Sequence, residues 1–492
     1  MRPLRIAIVH YHLKRGGVTR VIESTLAAAH AYSSRSKFVV LAGEVPAEIS
    51  FQASAVTVPG LQYSNVLSET AEPNLLLSQL KAAAHAALGA VPDLWHIHNH
   101  SLGKNSSIPE VVRLLASEGT PLLLQMHDFA EDGRPSNYAS IAMPAQLYPA
   151  APQLHYASIN ARDHSYVKSM GLPQQQIHLL PNPVDANSEC AAPAQHICEL
   201  RQALNAQRLI LYPVRAVRRK NFGELLLWSA MAQAGDIFAT TLGPTNHNYA
   251  AAYKNWQQLA TELRLPVCFG IGESKKWSFE TIMGSADTIL NTSIAEGFGL
   301  AFLEPWLYGK AIIGRDLPTI TGDFKTHGLE LAALYPALGI PAKWIDLNAL
   351  ESQIADGLKS TYATYGLKLP QHASQRALQA ITLSDGSIDF GGLAETQQIQ
   401  IITRVAQDPG ARNAIRQSLP LDLNQSARIE QNAQVVRQHF GPKRYIEQLE
   451  GIYQNLTQAA PFKSKQKIGY HNSQQLLGSF LKPENFRLLR AS

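Results

Sequence analysis

The sequence predicts an α/β protein built from two doubly wound parallel-sheet domains. Short apolar runs alternate with longer amphipathic stretches from residue 4 onward, and strands alternating with helices build parallel sheets from βαβ units. The alternation breaks at a segment rich in prolines and polar residues, then restarts near residue 209. The chain has 492 residues, enough for two or three domains.

The first series of expected strands is Leu4–His10, Phe38–Leu41, Leu94–His98, Leu122–Met126, His155–Ile159 and Ile177–Leu180, with helices such as Thr19–Tyr32 and Pro109–Glu118 between them. Pro181, Pro183 and Pro193 follow, and the linker is expected at 186–207. The second series is Leu209–Pro213, Ile237–Leu242, Val267–Phe269, Thr288–Leu290 and Ala311–Ile313, with helices Leu225–Gln233 and Tyr249–Leu263. The expected domains are therefore residues 1–185 and 208–460. Residues 363–420 break the pattern, with turn signals at Ser384-Asp385-Gly386-Ser387 and Gly391-Gly392, and read as an insertion or irregular helical region. Residues 425–457 return to helix, and Tyr470–Leu489 has the pattern of a last one. Open α/β sheets bind ligands at the C-terminal ends of their strands. Two such domains facing across a cleft would put one substrate on each lip.

Hydrophobic content of 45% and charged content of 16% are ordinary for a globular enzyme. The longest apolar candidate, Leu75–Val91, is interrupted by Gln79, Lys81 and His85, so no membrane-spanning helix is expected. The apolar start is cut short by His10, His12, Lys14 and Arg15, which suits a first strand rather than a signal peptide and points to the cytoplasm. Cys190, Cys198 and Cys268 make no disulfide framework and match no zinc spacing. The net charge of +5 resides in residues 463–492, where Lys463, Lys465, Lys467, Lys482, Arg487 and Arg490 face only Glu484. Such a tail reads as a solvated surface with at most weak peripheral membrane contact, and nothing points to nucleic acid.

The most informative feature is Glu296-Gly297-Phe298-Gly299-Leu300-Ala301-Phe302-Leu303-Glu304. If Gly299 closes a turn and a helix starts near Leu300, its free N–H groups suit a phosphate. One acid could then bond sugar hydroxyls and the other a ribose. A second feature is Pro213-Val214-Arg215-Ala216-Val217-Arg218-Arg219-Lys220-Asn221, a basic stretch that leaves a strand. Two cations fixed beside a departing diphosphate stabilise the charge that grows as a glycosidic bond breaks. A third is Gly16-Gly17, between the first strand and a helix opening near Thr19, where backbone N–H groups could approach a ligand closely. His127 follows a strand and could bond a sugar hydroxyl. His96, His98 and His100 would share one face of an extended strand, but lining a pocket is the stronger reading than holding a metal. No Asp-x-Asp pair stands at a strand end, so metal-independent chemistry without a cofactor is expected.

These segments together resemble the family 4 glycosyltransferases of the GT-B fold over most of residues 4–325. The match rests on the two-glutamate stretch, on Phe269-Gly270 and Ser285-Ala286-Asp287 before it, and on the basic stretch after Pro213. The resemblance implies a retaining enzyme that moves a hexose from a nucleotide-diphosphate sugar to a sugar, polyol or glycan hydroxyl. It implies that Arg215 and Lys220 grip the diphosphate and that Glu304 holds the ribose. It further implies that Glu296 and His127 act at the sugar, with Gly16, Gly17, Gly297, Phe298, Gly299 and Leu300 also on the donor. His98, Asn99 and His100 would lie on the acceptor side, and the last helix, within 470–492, would pack back on the N-terminal domain. In Pro181-Asn182-Pro183-Val184-Asp185 a proline stands where the family usually has glycine. Rivals remain. A dehydrogenase would need a Gly-x-Gly-x-x-Gly turn that Gly16-Gly17 does not supply. A phosphorylase would need a cofactor lysine that is not identifiable. An inactive sugar- or nucleotide-binding protein of the same fold would differ only in turnover.

Overall fold

The computed structural model describes residues 2–491 apart from 33, 35, 67–70, 186–191, 275, 420–425 and 459–467. The chain divides into two compact units. One comprises Met1–Pro183 and Phe440–Lys482, the other Val184–His439 and Pro483–Ser492.

The first unit holds a seven-stranded sheet in the order Ala55–Thr57, Lys37–Ala42, Arg5–His10, Leu94–His98, Leu122–Met126, Leu154–Ser158, Ile177–Leu179. Every pairing is parallel. Both faces are covered, which is why these strands read as near-continuous apolar runs. Alternate residues divide between the two faces. Ala7, Val9, Trp95, Ile97, Leu122, Leu124 and Met126 enter one core cluster. Ile6, Ile8, Leu94 and Leu123 enter the other, with Tyr445, Leu449 and Tyr453. Those last three lie on the helix Pro442–Gln458. Its place in the sequence suggested the C-terminal domain, so the expected span 208–460 is corrected: this helix is amphipathic and buries its apolar face against the first sheet. The helix Ser473–Phe480 adds Leu476 and Phe480 to the opposite core.

The second unit holds six parallel strands in the order Val267–Cys268, Asp236–Leu242, Arg208–Arg215, Thr288–Asn291, Ala311–Arg315, Leu334–Tyr335. The segment 363–420 is more regular than expected. It forms the helices Ala373–Gln379, Glu395–Gln407 and Pro409–Gln417, and its short strand Ile388–Asp389 pairs antiparallel with Gly339–Ile340. The last described residues join this unit: the carbonyl of Ala491 accepts from Arg218 Nη1 at 2.8 Å, and Arg376 pairs with Glu484. Lys463, Lys465, Lys467 and Cys190 lie outside the described residues. Among the described residues no helix is long and apolar enough to cross a membrane.

In each sheet the strand order reverses once beside the first strand of its series. Arg5–His10 and Leu94–His98 flank that point in the first sheet, Arg208–Arg215 and Thr288–Asn291 in the second. A ligand site is expected at their C-terminal ends.

Candidate functional site

In the second unit the segments leaving the two switch-point strands meet through charge. Glu296 is buried to 8% side-chain exposure. One carboxylate oxygen, Oε2, accepts from Arg219 Nη1 at 2.7 Å, and the other, Oε1, pairs with Lys220 Nζ. Arg219 also donates to the carbonyl of Ala295 at 2.7 Å. Burial alone would raise the Glu296 carboxyl. Lys220 and Arg219 more than offset it and hold the group down at about 2. Burial pulls Lys220 the other way, below its ordinary value, with Glu296 partly compensating. The two tendencies agree on an ionised pair near neutral pH, because each partner lacks water and has the other.

The backbone around this pair is held from both strands. Tyr212 donates to the carbonyl of Lys220 at 3.0 Å and sits 2.7 Å from Ser293 Oγ. Thr292 Oγ1 donates to the same carbonyl at 2.9 Å. The amide of Ile294 donates to the carbonyl of Arg219 at 2.9 Å. Arg219 was not singled out in the sequence. Three consecutive basic residues, which form a single 3₁₀ turn, Arg218–Lys220, have no periodicity to say which one turns inward.

Arg215 ends its strand exposed, with no side-chain hydrogen bond or ion pair among the described residues. Gly299 has φ of 93°, and a Cβ there would come within 2.9 Å of Ile320 Cγ2 and 3.0 Å of Phe302 Cδ2, so glycine is required on conformation and on space. Phe298 is buried against Phe324. The helix expected from Leu300 begins instead as a 3₁₀ turn, Leu300–Phe302, and the α-helix Glu304–Leu307 is one turn long. Glu304 therefore opens that helix rather than lying a turn inside it. Pro305, which lacks an N–H, is tolerated there only because it stands in the first turn.

In the first unit the C-terminal strand ends carry a group of histidines. His98 Nδ1 and His127 Nε2 are 2.9 Å apart with their rings stacked. The His96 ring lies tilted by 30° against His98 at 4.3 Å between centroids, and its ring nitrogens meet Tyr453 Oη at 2.8 Å and Gln125 Oε1 at 3.0 Å. Asn99, at φ 56°, accepts from the amides of His127 and Asp128 through Oδ1. That left-handed residue ends the alternation, so His100 leaves the face shared by His96 and His98. It bonds the carbonyl of Leu147 at 3.1 Å and is fully buried. His98, Asn99 and His100, expected to line the acceptor side, are thus interior residues here, each at most 2% exposed. Burial pushes His96 down to about 3 and His100 to about 4. His127 falls to about 4 for the same reason, with Asp128 and Asn182 pulling it back. All are neutral near pH 7. Among the described residues no three His, Cys, Asp or Glu side chains are grouped to hold a metal ion.

Gly16 precedes the helix Gly17–Ala31 in extended backbone, and Gly17 is its first residue, two positions earlier than expected. A Cβ on Gly17 would meet nothing within 4 Å. The surface there is open.

No protein-family model matches the chain. One curated relative is mannosylglucosyl-3-phosphoglycerate synthase of Petrotoga mobilis, 26% identical in an alignment 343 residues long that covers 65% of this chain and 66% of that one. The alignment thus spans just under two thirds of that relative's length. Among solved structures, Anabaena HepE in complex with UDP and glucose superposes with a TM-score of 0.53 at 15% identity, covering 92% of this chain and 99% of that one. Sucrose-phosphate synthase from Thermosynechococcus elongatus gives 0.53 at 14% identity, covering 93% and 100%. With two parallel-sheet units and these neighbours, the architecture is decided. The fold is GT-B.

Proposed function

We propose that this chain is a retaining, metal-independent glycosyltransferase that moves a hexose from a nucleotide-diphosphate sugar to a hydroxyl acceptor. The observation that carries the reading is the buried Glu296 carboxylate, clamped by Arg219 and Lys220 at the switch point of the second sheet. A carboxyl held near 2 is a poor proton donor and a weak base at neutral pH, which disfavours general acid–base work. It suits a fixed acceptor for sugar hydroxyls. Lys220, beside Glu296, and the exposed Arg215 supply cations for a diphosphate, where growing negative charge is stabilised more in the transition state than before it. A leaving phosphate that takes the acceptor's proton itself would need no enzymic nucleophile. The names of the relatives support the class: the curated relative is a synthase of a glycosylated 3-phosphoglycerate, and one neighbour binds UDP and glucose.

A panel of UDP-, GDP- and ADP-hexoses read by thermal shift tests the reading. A donor at about a hundred times its dissociation constant adds about 2.7 kcal/mol of stability. Turnover with the donor so found is expected to persist in excess EDTA. Loss in EDTA with rescue by magnesium or manganese would overturn the metal-independent part. Binding without turnover on any hydroxyl acceptor would favour a binding protein of the same fold.

A further inference from the structure

Asn221, next to Lys220, sits in the left-handed region at φ 52° and ψ 60°, where residues other than glycine are uncommon. Its side chain is buried and held on both sides. Asn221 Nδ2 donates to Glu224 Oε2 at 2.7 Å, and Asn221 Oδ1 accepts from Gln398 Nε2 at 2.9 Å. Gln398 is fully buried on the helix Glu395–Gln407, within the segment 363–420, and also donates to the carbonyl of Phe390 at 3.1 Å. It lies so close to the next helix that a Cβ on Gly223 would come within 2.2 Å of its Oε1.

The hold continues behind Glu224. Its carboxylate, also fully buried, accepts from Arg315 and from Tyr335 Oη at 2.8 Å. Arg315 makes a second two-pronged pair with Asp389, at 2.9 and 2.8 Å. Asp389 belongs to the segment 363–420 as well. Buried polar networks that are connected in this way rigidify what they touch.

We infer that the segment 363–420 is the brace of the basic turn, with Gln398 a positioning residue that acts through Asn221 to keep Lys220 on Glu296. This assignment takes its functional meaning from the glycosyltransferase reading, but its geometry can be tested without turnover. The side chain of Lys220 is only 12% exposed in its ion pair, so its amine reacts with an acylating reagent chiefly when the turn opens.

The experiment is acetylation of the full chain with a water-soluble N-hydroxysuccinimide ester, read at each lysine by peptide mass spectrometry. Three variants are compared. Gln398→Met keeps the volume and loses the amide. Asn221→Gly keeps the left-handed backbone at no steric cost and loses the side chain. Gln397→Met is the control: its neighbouring amide is also buried but donates to the carbonyl of Asp346. Both of the first two variants lose the Asn221–Gln398 hydrogen bond, and a loss of that size is expected to raise labelling of Lys220 by about fivefold or more. The control leaves Lys220 unchanged, and so does Lys81, paired with Glu118 in the other unit. Equal labelling of Lys220 in wild type and in Gln398→Met would overturn the inference, as would an equal rise in Gln397→Met. If Gln398→Met does not fold, Asn221→Gly decides by the same criterion. Failure of every nucleotide sugar to turn over would overturn the function and leave the labelling result standing.

Discussion

At the scale of single residues, the proposed chemistry turns on the Glu296 carboxylate and the cations paired with it, Arg219 and Lys220. Glu296→Gln is expected to lower turnover about a hundredfold, the cost of one preorganised contact of on the order of 3 kcal/mol, measured as kcat at saturating donor. Near wild-type turnover would remove Glu296 from the site. Lys220→Ala is expected to weaken donor use, and it leaves Glu296 with Arg219 alone in a buried setting. Removing one partner of a buried pair costs on the order of 3 kcal/mol, so its urea midpoint should fall. Arg215→Ala removes an exposed side chain that has no ion pair among the described residues and should weaken donor use with little change in midpoint. A fall of equal size in both midpoints would contradict this division. Glu296 and Lys220 stood out in the sequence because one precedes a glycine-containing turn and the other follows a strand, and the structure brings the two together. Their direct pairing was not legible, because spacing along the chain does not say which side chains from two loops meet.

At the scale of elements, the strands of both sheets were legible to within a residue or two, apart from Ala55–Thr57 and Leu334–Tyr335. Their runs are apolar on both faces and bounded by turn residues. The strand Ala55–Thr57 is three residues long and leaves no periodicity to read. The histidines at the first sheet's edge carry a prediction. His10 and His96, held at about 3, and His100 and His127, held at about 4, lie below the ordinary 6.5 because burial disfavours the charged ring. The unfolded chain takes up protons at these sites below pH 6.5 and the folded chain does not. Their contribution to stability is therefore full above pH 6.5 and is lost as pH falls through 4. Protonating both His98 and His127 would also set two donors against each other across 2.9 Å. The melting temperature should be flat from pH 8 to 7 and fall between 6.5 and 4. His96→Gln should make that fall shallower. A melting temperature unchanged between pH 7 and 5 would show that these rings are solvated.

At the scale of the whole molecule, each unit is assembled from separated pieces of chain. Deleting residues 470–492 strips Leu476, Leu477 and Phe480 from the first unit, where Phe480 meets Phe129 and Tyr166 at 5.1 and 5.0 Å. It also removes Glu484 and the Ala491 carbonyl from the second. The loss is expected to reach on the order of 5 kcal/mol from the three apolar side chains, read by chemical unfolding. A truncated chain that unfolds like the full one, yet no longer sediments with anionic vesicles, would make the tail a membrane contact instead. The domain spans were the part least visible in the sequence. An amphipathic helix such as Pro442–Gln458 announces an apolar face but not which sheet that face covers.

That helix has a consequence for how the protein is made. His96 bonds Tyr453, a partner 357 positions later, and the first sheet cannot close its second core until residues 440–456 have been synthesised. Between Pro183 and Phe440 lie about 256 residues, which a ribosome adds in on the order of 13 to 50 s. Throughout that interval the face carrying Ile6, Ile8, Leu94 and Leu123 has Val21, Ile22 and Ala28 of the helix Gly17–Ala31 against it but lacks Tyr445, Leu449 and Tyr453. The second unit, whose strands all lie between 208 and 335, can form its sheet in the meantime. The sheet translated second can thus close before the core of the sheet translated first, while each unit still takes its last piece from residues 440–492.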